Sequence, residues 1–210
     1  MGMPGVGKGT QAARLRDRLG VIHVSTGDLL REAVHNGSPL GRQARSHMEA
    51  GDLVPDELMG ELIVERLSRE DAGSGFVLDG FPRTGEQVLI LDRVLERLGA
   101  KLDRVVLLGS AEAEVVRRLA GRRVCPRCHA VYHVETKAPR AAGVCDACGS
   151  ALVQRPDDRE EVVLQRLAVY REQTQPVVER YSQRGLLRVV EGNGAPETVA
   201  SRLDAALGLA

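Results

Sequence analysis

The sequence predicts an α/β protein with a doubly wound parallel sheet, and three features carry that expectation. Short apolar, β-branched runs alternate with longer stretches of helical period, the pattern of βαβ units whose strands are covered on both faces. A glycine-rich loop ending in lysine, "MGMPGVGKGT", stands directly before the first helical stretch. One segment, residues 121–158, interrupts the alternation and holds all four cysteines of the chain.

In chain order, strands are expected at Val21–Val24, Phe76–Leu78, Val105–Leu108 and Leu186–Val190, each an apolar run bounded by turn residues. Helices are expected at Gly9–Leu19, Thr26–Val34, Gly85–Leu98, Ala111–Leu119, Asp157–Tyr181 and Pro196–Leu207. Residues 25–54 read as a helical insert between a strand and the next helix, and 121–158 as a small inserted unit without helical period. The core domain is then 1–24, 55–120 and 159–210.

With 210 residues, 43% of them hydrophobic, the chain can bury a substantial core. No run approaches the roughly 18 consecutive apolar residues of a membrane span, and the first residues lack the basic-then-apolar order of a secretory leader. A cytosolic monomer is expected, with no membrane partner. Basic and acidic residues balance at 29 each, and Tyr and Phe together number five with no Trp, so neither net charge nor base-stacking aromatics favour a nucleic-acid partner. Only three of the basic residues are Lys, which sets Lys8 apart: lysine supplies a mobile point charge where arginine supplies a fixed fork.

In "GMPGVGKGT", Gly2 and Gly7 are separated by four residues and followed by Lys8, the first part of a phosphate-binding P-loop. The glycines let backbone N–H groups converge, and the start of the following helix adds its positive dipole end. Lys8 would bridge terminal phosphates. The hydroxyl that follows comes one place late, at Thr10 after Gly9, so its direct ligation of Mg²⁺ is in doubt.

Further motifs follow in order: "STGDLLR" at 25–31, "GDLVPDEL" at 51–58, "GFVLDGFPRT" at 75–84, "LAGRRVC" at 119–125 and "RPDDREEVVLQRLAVYREQTQPVVERY" at 155–181. With the loop, they closely resemble the adenylate kinase family, P-loop nucleoside monophosphate kinases, in the bacterial form with a zinc-carrying lid. The resemblance implies Mg²⁺-dependent phosphoryl transfer, ATP plus AMP giving two ADP. It identifies 25–54 as the monophosphate-binding insert and 121–158 as the lid. Gly5, Val6, Gly7, Lys8, Gly9 and Thr10 match the ATP phosphate site. Thr26 and Arg31 match AMP contacts, and Asp52, Leu53 and Val54 the wall receiving its adenine. Gly80, Phe81, Pro82 and Arg83 match further AMP contacts, with Arg83 on the phosphate and Gln87 reading the adenine edge. Asp79 matches a carboxylate that organises Mg²⁺ through water. Arg118 and Arg122 match arginines closing over the transferred group, and Arg155 and Arg166 a pair gripping both nucleotides. Val131 and Tyr132 match lid residues lying against ATP, and Gly194 a backbone contact to its adenine. The implied catalytic set is Lys8, Arg83, Arg118, Arg122, Arg155 and Arg166. That agrees with the chemistry, because phosphoryl transfer asks the protein mainly for positioning and charge neutralisation. An acceptor other than AMP keeps the same chemistry and stays open at this point.

The cysteines follow the spacing Cys125-x₂-Cys128, sixteen residues, Cys145-x₂-Cys148, the pattern of two knuckles that bring four thiolates to one structural zinc. Disulfides and a redox CxxC are the competing readings. His129 follows the second cysteine of a knuckle, at a position that needs a positive φ; His129 and His133 read as loop residues rather than ligands. Zinc would staple a segment too short for its own core, with no chemical part.

In the family an apolar strand of about five residues leads into the loop and lies mid-sheet; here only Met1 precedes Gly2. Five buried apolar side chains at roughly 1.5–3 kcal/mol each amount to about 7–15 kcal/mol, as much as the roughly 5–15 kcal/mol that stabilises a whole domain. The expectation is a first central strand that is missing, a slot between its neighbours or a loss of fold, and a true start a few codons upstream.

Overall fold

The structure, a computed structural model, describes residues 1–209. It begins with the glycine loop and α1 (Lys8–Leu19), followed by β1 (Ile22–Ser25), α2 (Thr26–His35), α3 (Pro39–Ala50) and α4 (Asp56–Leu67). Next come β2 (Phe76–Asp79), α5 (Gly85–Arg97), β3 (Val105–Gly109) and α6 (Glu112–Ala120). Short strands β4 (Arg122–Val124) and β5 (Val131–His133) precede α7 (Glu160–Val169), α8 (Gln175–Gln183), β6 (Leu187–Glu191) and α9 (Pro196–Leu207). No helix among the described residues is long and apolar enough to cross a membrane.

The parallel α/β architecture is present, with its four long strands in two pairs. β1 and β2 run parallel with Val24 opposite Leu78, and β3 and β6 run parallel with Leu107 opposite Val189. Among the described residues no ladder joins one pair to the other. Met1 occupies the lane beside β3: its amine donates to Val106 O at 2.5 Å, and Leu108 N donates to Met1 O at 3.0 Å. Bonds on either side of Leu107 are the signature of parallel pairing. They lie on the edge of β3 away from β6, because Val105 N turns the other way, to Leu186 O. Met1 thus takes a strand position at this edge of β3. Burial and the nearby Lys8 charge push the Met1 amine down to about 5.

Two apolar cores flank this arrangement. Val24, Ile63, Leu67, Leu91 and Phe81 centre one, built by α2 to α5 on the first strand pair. Val6, Leu108, Val115, Leu119, Val163, Leu167, Val190 and Leu203 centre the other, which ties the glycine loop to α6, α7, β6 and α9.

The long helix expected at Asp157–Tyr181 is not continuous. A 3₁₀ turn over Pro156–Asp158 precedes α7, and a π turn over Tyr170–Thr174 separates α7 from α8. Pro176 explains the second break: it has no N–H to donate, and its ring would meet the carbonyl one turn back. The widened turn absorbs the mismatch. α3 supplies the helix expected in 25–54, with Ser38 as N-cap accepting from Gly41 N at 3.0 Å and Pro39 at the first position.

Candidate phosphoryl-transfer site

The glycine loop reaches α1 without a side-chain cap. Gly7, with φ 104°, is the N-cap residue and offers no side chain to the first-turn N–H groups, which are left for a ligand. Gly5, with φ 82°, packs so closely on α6 that a Cβ there would lie 2.6 Å from Leu119 Cγ. Lys8 folds back over the loop, Nζ donating to Gly2 O and Met3 O at 2.8 Å each.

The loop opens on a cleft of about 1320 Å³. Every residue expected at the ATP and AMP positions lines it: Gly5 to Thr10, Thr26, Arg31, Asp52 to Val54, Gly80 to Arg83, Gln87, Arg118, Arg122, Val131, Tyr132, Arg155, Arg166 and Gly194, with Asp79 beside them. Their geometry differs in detail. Arg31 is paired with Asp28 at 2.6 Å, and Thr26 Oγ1 donates to Asp79 O at 3.3 Å. Gln87 is held at both ends of its amide: its Oε1 accepts from Arg83 N at 2.8 Å and one N–H of its Nε2 donates to Asp56 Oδ1 at 2.8 Å. Arg118 braces the loop, with Nη1 on Val6 O at 3.3 Å and Gly192 O at 3.2 Å and Nε on Glu114 at 2.7 Å. Tyr132 lines the cleft while its hydroxyl turns into the cysteine segment, accepting from Asp146 N at 2.8 Å.

The electrostatics of the cleft are those of an anion site. Burial, above all, pushes Lys8 down to about 8, and the charges of Arg83, Arg166 and Arg122 push the same way against Asp79. Arg83 and Arg155 are each pushed down to about 10, again mainly by burial with neighbouring guanidinium groups adding to it. Arg166 is lowered for the same reasons. Burial raises the Asp79 carboxyl, but the adjacent His23 and the Lys8 ammonium outweigh it and hold Asp79 below the usual carboxylate range. His23 Nε2 stands 3.8 Å from Asp79 Oδ2. So many partly desolvated cations, held close against their mutual repulsion, are what a polyanionic ligand would relieve.

Family models match residues 1–186 to adenylate kinase. The chain belongs to the adenylate kinase family. A relative named adenylate kinase in Citrifermentans bemidjiense is 50% identical over 207 residues, covering 99% of this chain and 97% of the relative. Those of Caldicellulosiruptor bescii and Methanocella arvoryzae are each 47% identical, over 100% and 98% of this chain and 97% and 95% of their own.

In this member of the adenylate kinase family the four cysteine sulfurs all lie within 4.8 Å of one another. Cys125 Sγ and Cys148 Sγ are 3.3 Å apart, and Cys128 Sγ and Cys145 Sγ 3.4 Å. Those separations are far from the roughly 2.05 Å of a disulfide and near the roughly 3.8 Å edge of a tetrahedron with Zn–S of about 2.3 Å. The donor set therefore fits a tetrathiolate metal. His129 has φ 61°, the positive value its position demands. His133, expected in a loop, is instead the last residue of β5, opposite Arg122, and its Nδ1 accepts from Glu135 N and Thr136 N at 3.1 and 3.2 Å.

Sequence reading passed over three carboxylates that organise the cleft. Asp158 grips Arg122, and Asp157 pairs with Arg166 at 3.0 Å; their signal was the "DD" lying between Arg155 and Arg166. Asp56 holds both Gln87 and Thr84 Oγ1, the latter at 2.9 Å. At the first turn of a helix it reads only as a dipole complement.

Proposed function

We propose that the protein transfers the terminal phosphoryl group of ATP to AMP, reversibly, giving two ADP. The observation that carries this is one cleft lined by Lys8, Arg31, Arg83, Arg122, Arg155 and Arg166 together with the loop that leads into the uncapped start of α1. Its volume exceeds the roughly 300–1,000 Å³ of a single small-molecule site, in keeping with two nucleotides. An AMP phosphate oxygen attacks the terminal phosphorus of ATP as the bond to the bridging oxygen breaks, and ADP leaves. Gly5 to Thr10 cradle the donor phosphates, Lys8 neutralises the charge that spreads during transfer, and Arg122, Arg155 and Arg166 clamp the phosphoryl group between donor and acceptor. Arg31 and Arg83 hold the AMP phosphate, with Thr26, Asp52 to Val54, Gly80 to Pro82 and Gln87 around the rest of that nucleotide. Val131, Tyr132 and Gly194 border the donor base, and Arg118 keeps the loop in position.

Mg²⁺ arriving with ATP would supply further neutralisation of phosphate charge. Asp79 suits it, as a hard oxygen donor kept ionised at the strand end beside Lys8. Zinc on Cys125, Cys128, Cys145 and Cys148 would serve as the staple of the lid and take no part in transfer. The proposed units are a core of 1–24, 55–120 and 159–210, an acceptor insert of 25–54 and a lid of 121–158, whose closure excludes water from the phosphates, adenylate kinase being an established case of such closure. Reduced thiols suit the cytosol, and a cleft built from one chain suits a monomer.

The test is ADP formation from Mg·ATP with AMP, CMP, UMP or GMP as acceptor. AMP is expected to give the highest kcat/KM by at least about tenfold, a difference of 1.4 kcal/mol. Equal or better use of another acceptor would overturn the assignment of AMP.

A further inference from the structure

The arginines of the cleft stand on the core, on the 25–54 insert or at the base of the lid, and the lid's own surface raises a separate question. Between Cys125 and Val153 there are three cationic side chains, Arg127, Lys137 and Arg140. Lys137 is the one that lines the cleft, beside Tyr132 and Thr136. Its place is fixed from two directions. Lys137 and His133 exchange backbone hydrogen bonds of 3.0 and 3.2 Å, closing a tight turn that sets where the lysine stem leaves the chain. Its ammonium lies 5.7 Å from the centroid of the Tyr132 ring, within cation–π range. That ring is itself anchored, because the Tyr132 hydroxyl contacts Cys145 Sγ at 3.5 Å and Asp146 N at 2.8 Å. The two carboxylates of the same stretch are engaged elsewhere: Glu135 by Arg117 at 2.5 Å, and Asp146 by the Arg140 N–H at 2.9 Å.

We propose that Lys137 is a further donor-nucleotide contact, a lid cation that meets the triphosphate of ATP as the lid comes down over it. An exposed ammonium on a four-carbon stem is suited to this, since it stays hydrated until closure and then forms charge-assisted bonds to whichever phosphate oxygens it reaches. The contact exists on the donor side only, because the acceptor residues lie on the insert and on the β2–α5 turn. The inference rests on the proposed ATP-to-AMP reaction.

The experiment compares the full-length protein with Lys137→Gln, Lys137→Arg and Arg140→Gln in steady-state kinetics at several salt concentrations. Lys137→Gln is expected to raise KM for ATP by about tenfold, the size of one charge-assisted contact. KM for AMP and the thermal midpoint should stay as in wild type, and the salt dependence of the ATP KM should become shallower. Lys137→Arg should restore most of the affinity, and Arg140→Gln should behave as wild type. An unchanged ATP KM in Lys137→Gln, or equal shifts in the ATP and AMP KM values, would overturn the inference. Wild-type protein that forms no ADP from ATP and AMP would instead overturn the reaction itself, so the two failures are distinguishable.

Discussion

Arg122 and Asp158 clasp the two ends of the 121–158 segment: Arg122 Nε donates to Oδ2 at 2.7 Å and Nη2 to Oδ1 at 2.5 Å, and the carboxylate is wholly buried. Thirty-six residues separate the two in sequence, so the pair joins β4 to the 3₁₀ turn over Pro156–Asp158. Arg166 Nη1 stands 3.7 Å from the same carboxylate. Breaking a buried pair by removing one partner costs about 3–5 kcal/mol, because the other charge is stranded. Asp158→Ala should accordingly lower unfolding free energy by about that amount in urea titrations, and a loss below about 1 kcal/mol, the range of exposed pairs, would show the clasp to be unimportant.

The pH response of donor binding should follow Lys8. Its ammonium is depressed from 10.5 to about 8, so the free enzyme loses this charge as pH rises through that value. Phosphate binding favours the protonated form. The expected profile of kcat/KM for ATP is a plateau below pH 8 and a falling limb above it. In Lys8→Arg the limb should move to higher pH, because guanidinium keeps its proton there. A wild-type profile flat to pH 10 would contradict the account. Stability of the empty protein has the opposite slope: the unfolded chain holds the Lys8 proton up to about 10.5, so the cost of burying that charge is relieved between pH 8 and 10.5.

Asp56 should act on the acceptor alone. It receives Gln87 Nε2 and Thr84 Oγ1 at 2.8 and 2.9 Å, which leaves the Gln87 amide in one orientation. Asp56→Ala is expected to raise KM for AMP by about fivefold to tenfold, the worth of one well-aligned hydrogen bond, with kcat and the ATP KM little changed. A parallel change in both KM values would mean that Asp56 supports the fold rather than the position of Gln87.

The four thiols should hold one zinc per chain by elemental analysis. Cys145→Ser should lose it and lower the thermal midpoint, since the segment folds around its metal. Metal removal that left the lid folded yet abolished turnover would contradict a purely structural role.

Much of this molecule was legible in its sequence. The apolar runs placed every long strand to within one residue at most ends: Leu186–Val190 was expected, Leu187–Glu191 is observed. Motif order marked residues as distant as Gly5, Arg83 and Arg166, which line one cleft: Gly5 stands in the loop before α1, Arg83 between β2 and α5, and Arg166 on α7. The 157–181 helix carries a π turn over Tyr170–Thr174, which local helical pattern does not reveal because the flanking α7 and α8 each keep their own 3.6-residue period. Arg118 matched a phosphate contact by motif, yet its partners here are the carbonyls of Val6 and Gly192, which no local pattern encodes.

What the sequence by itself determined was local and periodic: strand and helix identity, the glycine loop, the paired cysteine knuckles and the turn at His129, all set by residue type over a few positions. Tertiary structure alone decided the counter-ions and the sheet edge. Asp158 selects Arg122, and Asp56 selects Gln87, because folding brings side chains from separate segments within hydrogen-bonding distance of each other in a medium where an unpaired charge or amide is costly. The place of Met1 beside Leu107 has the same origin. Only the packed sheet could show that Met1 pairs with β3 on the side that β6 leaves free.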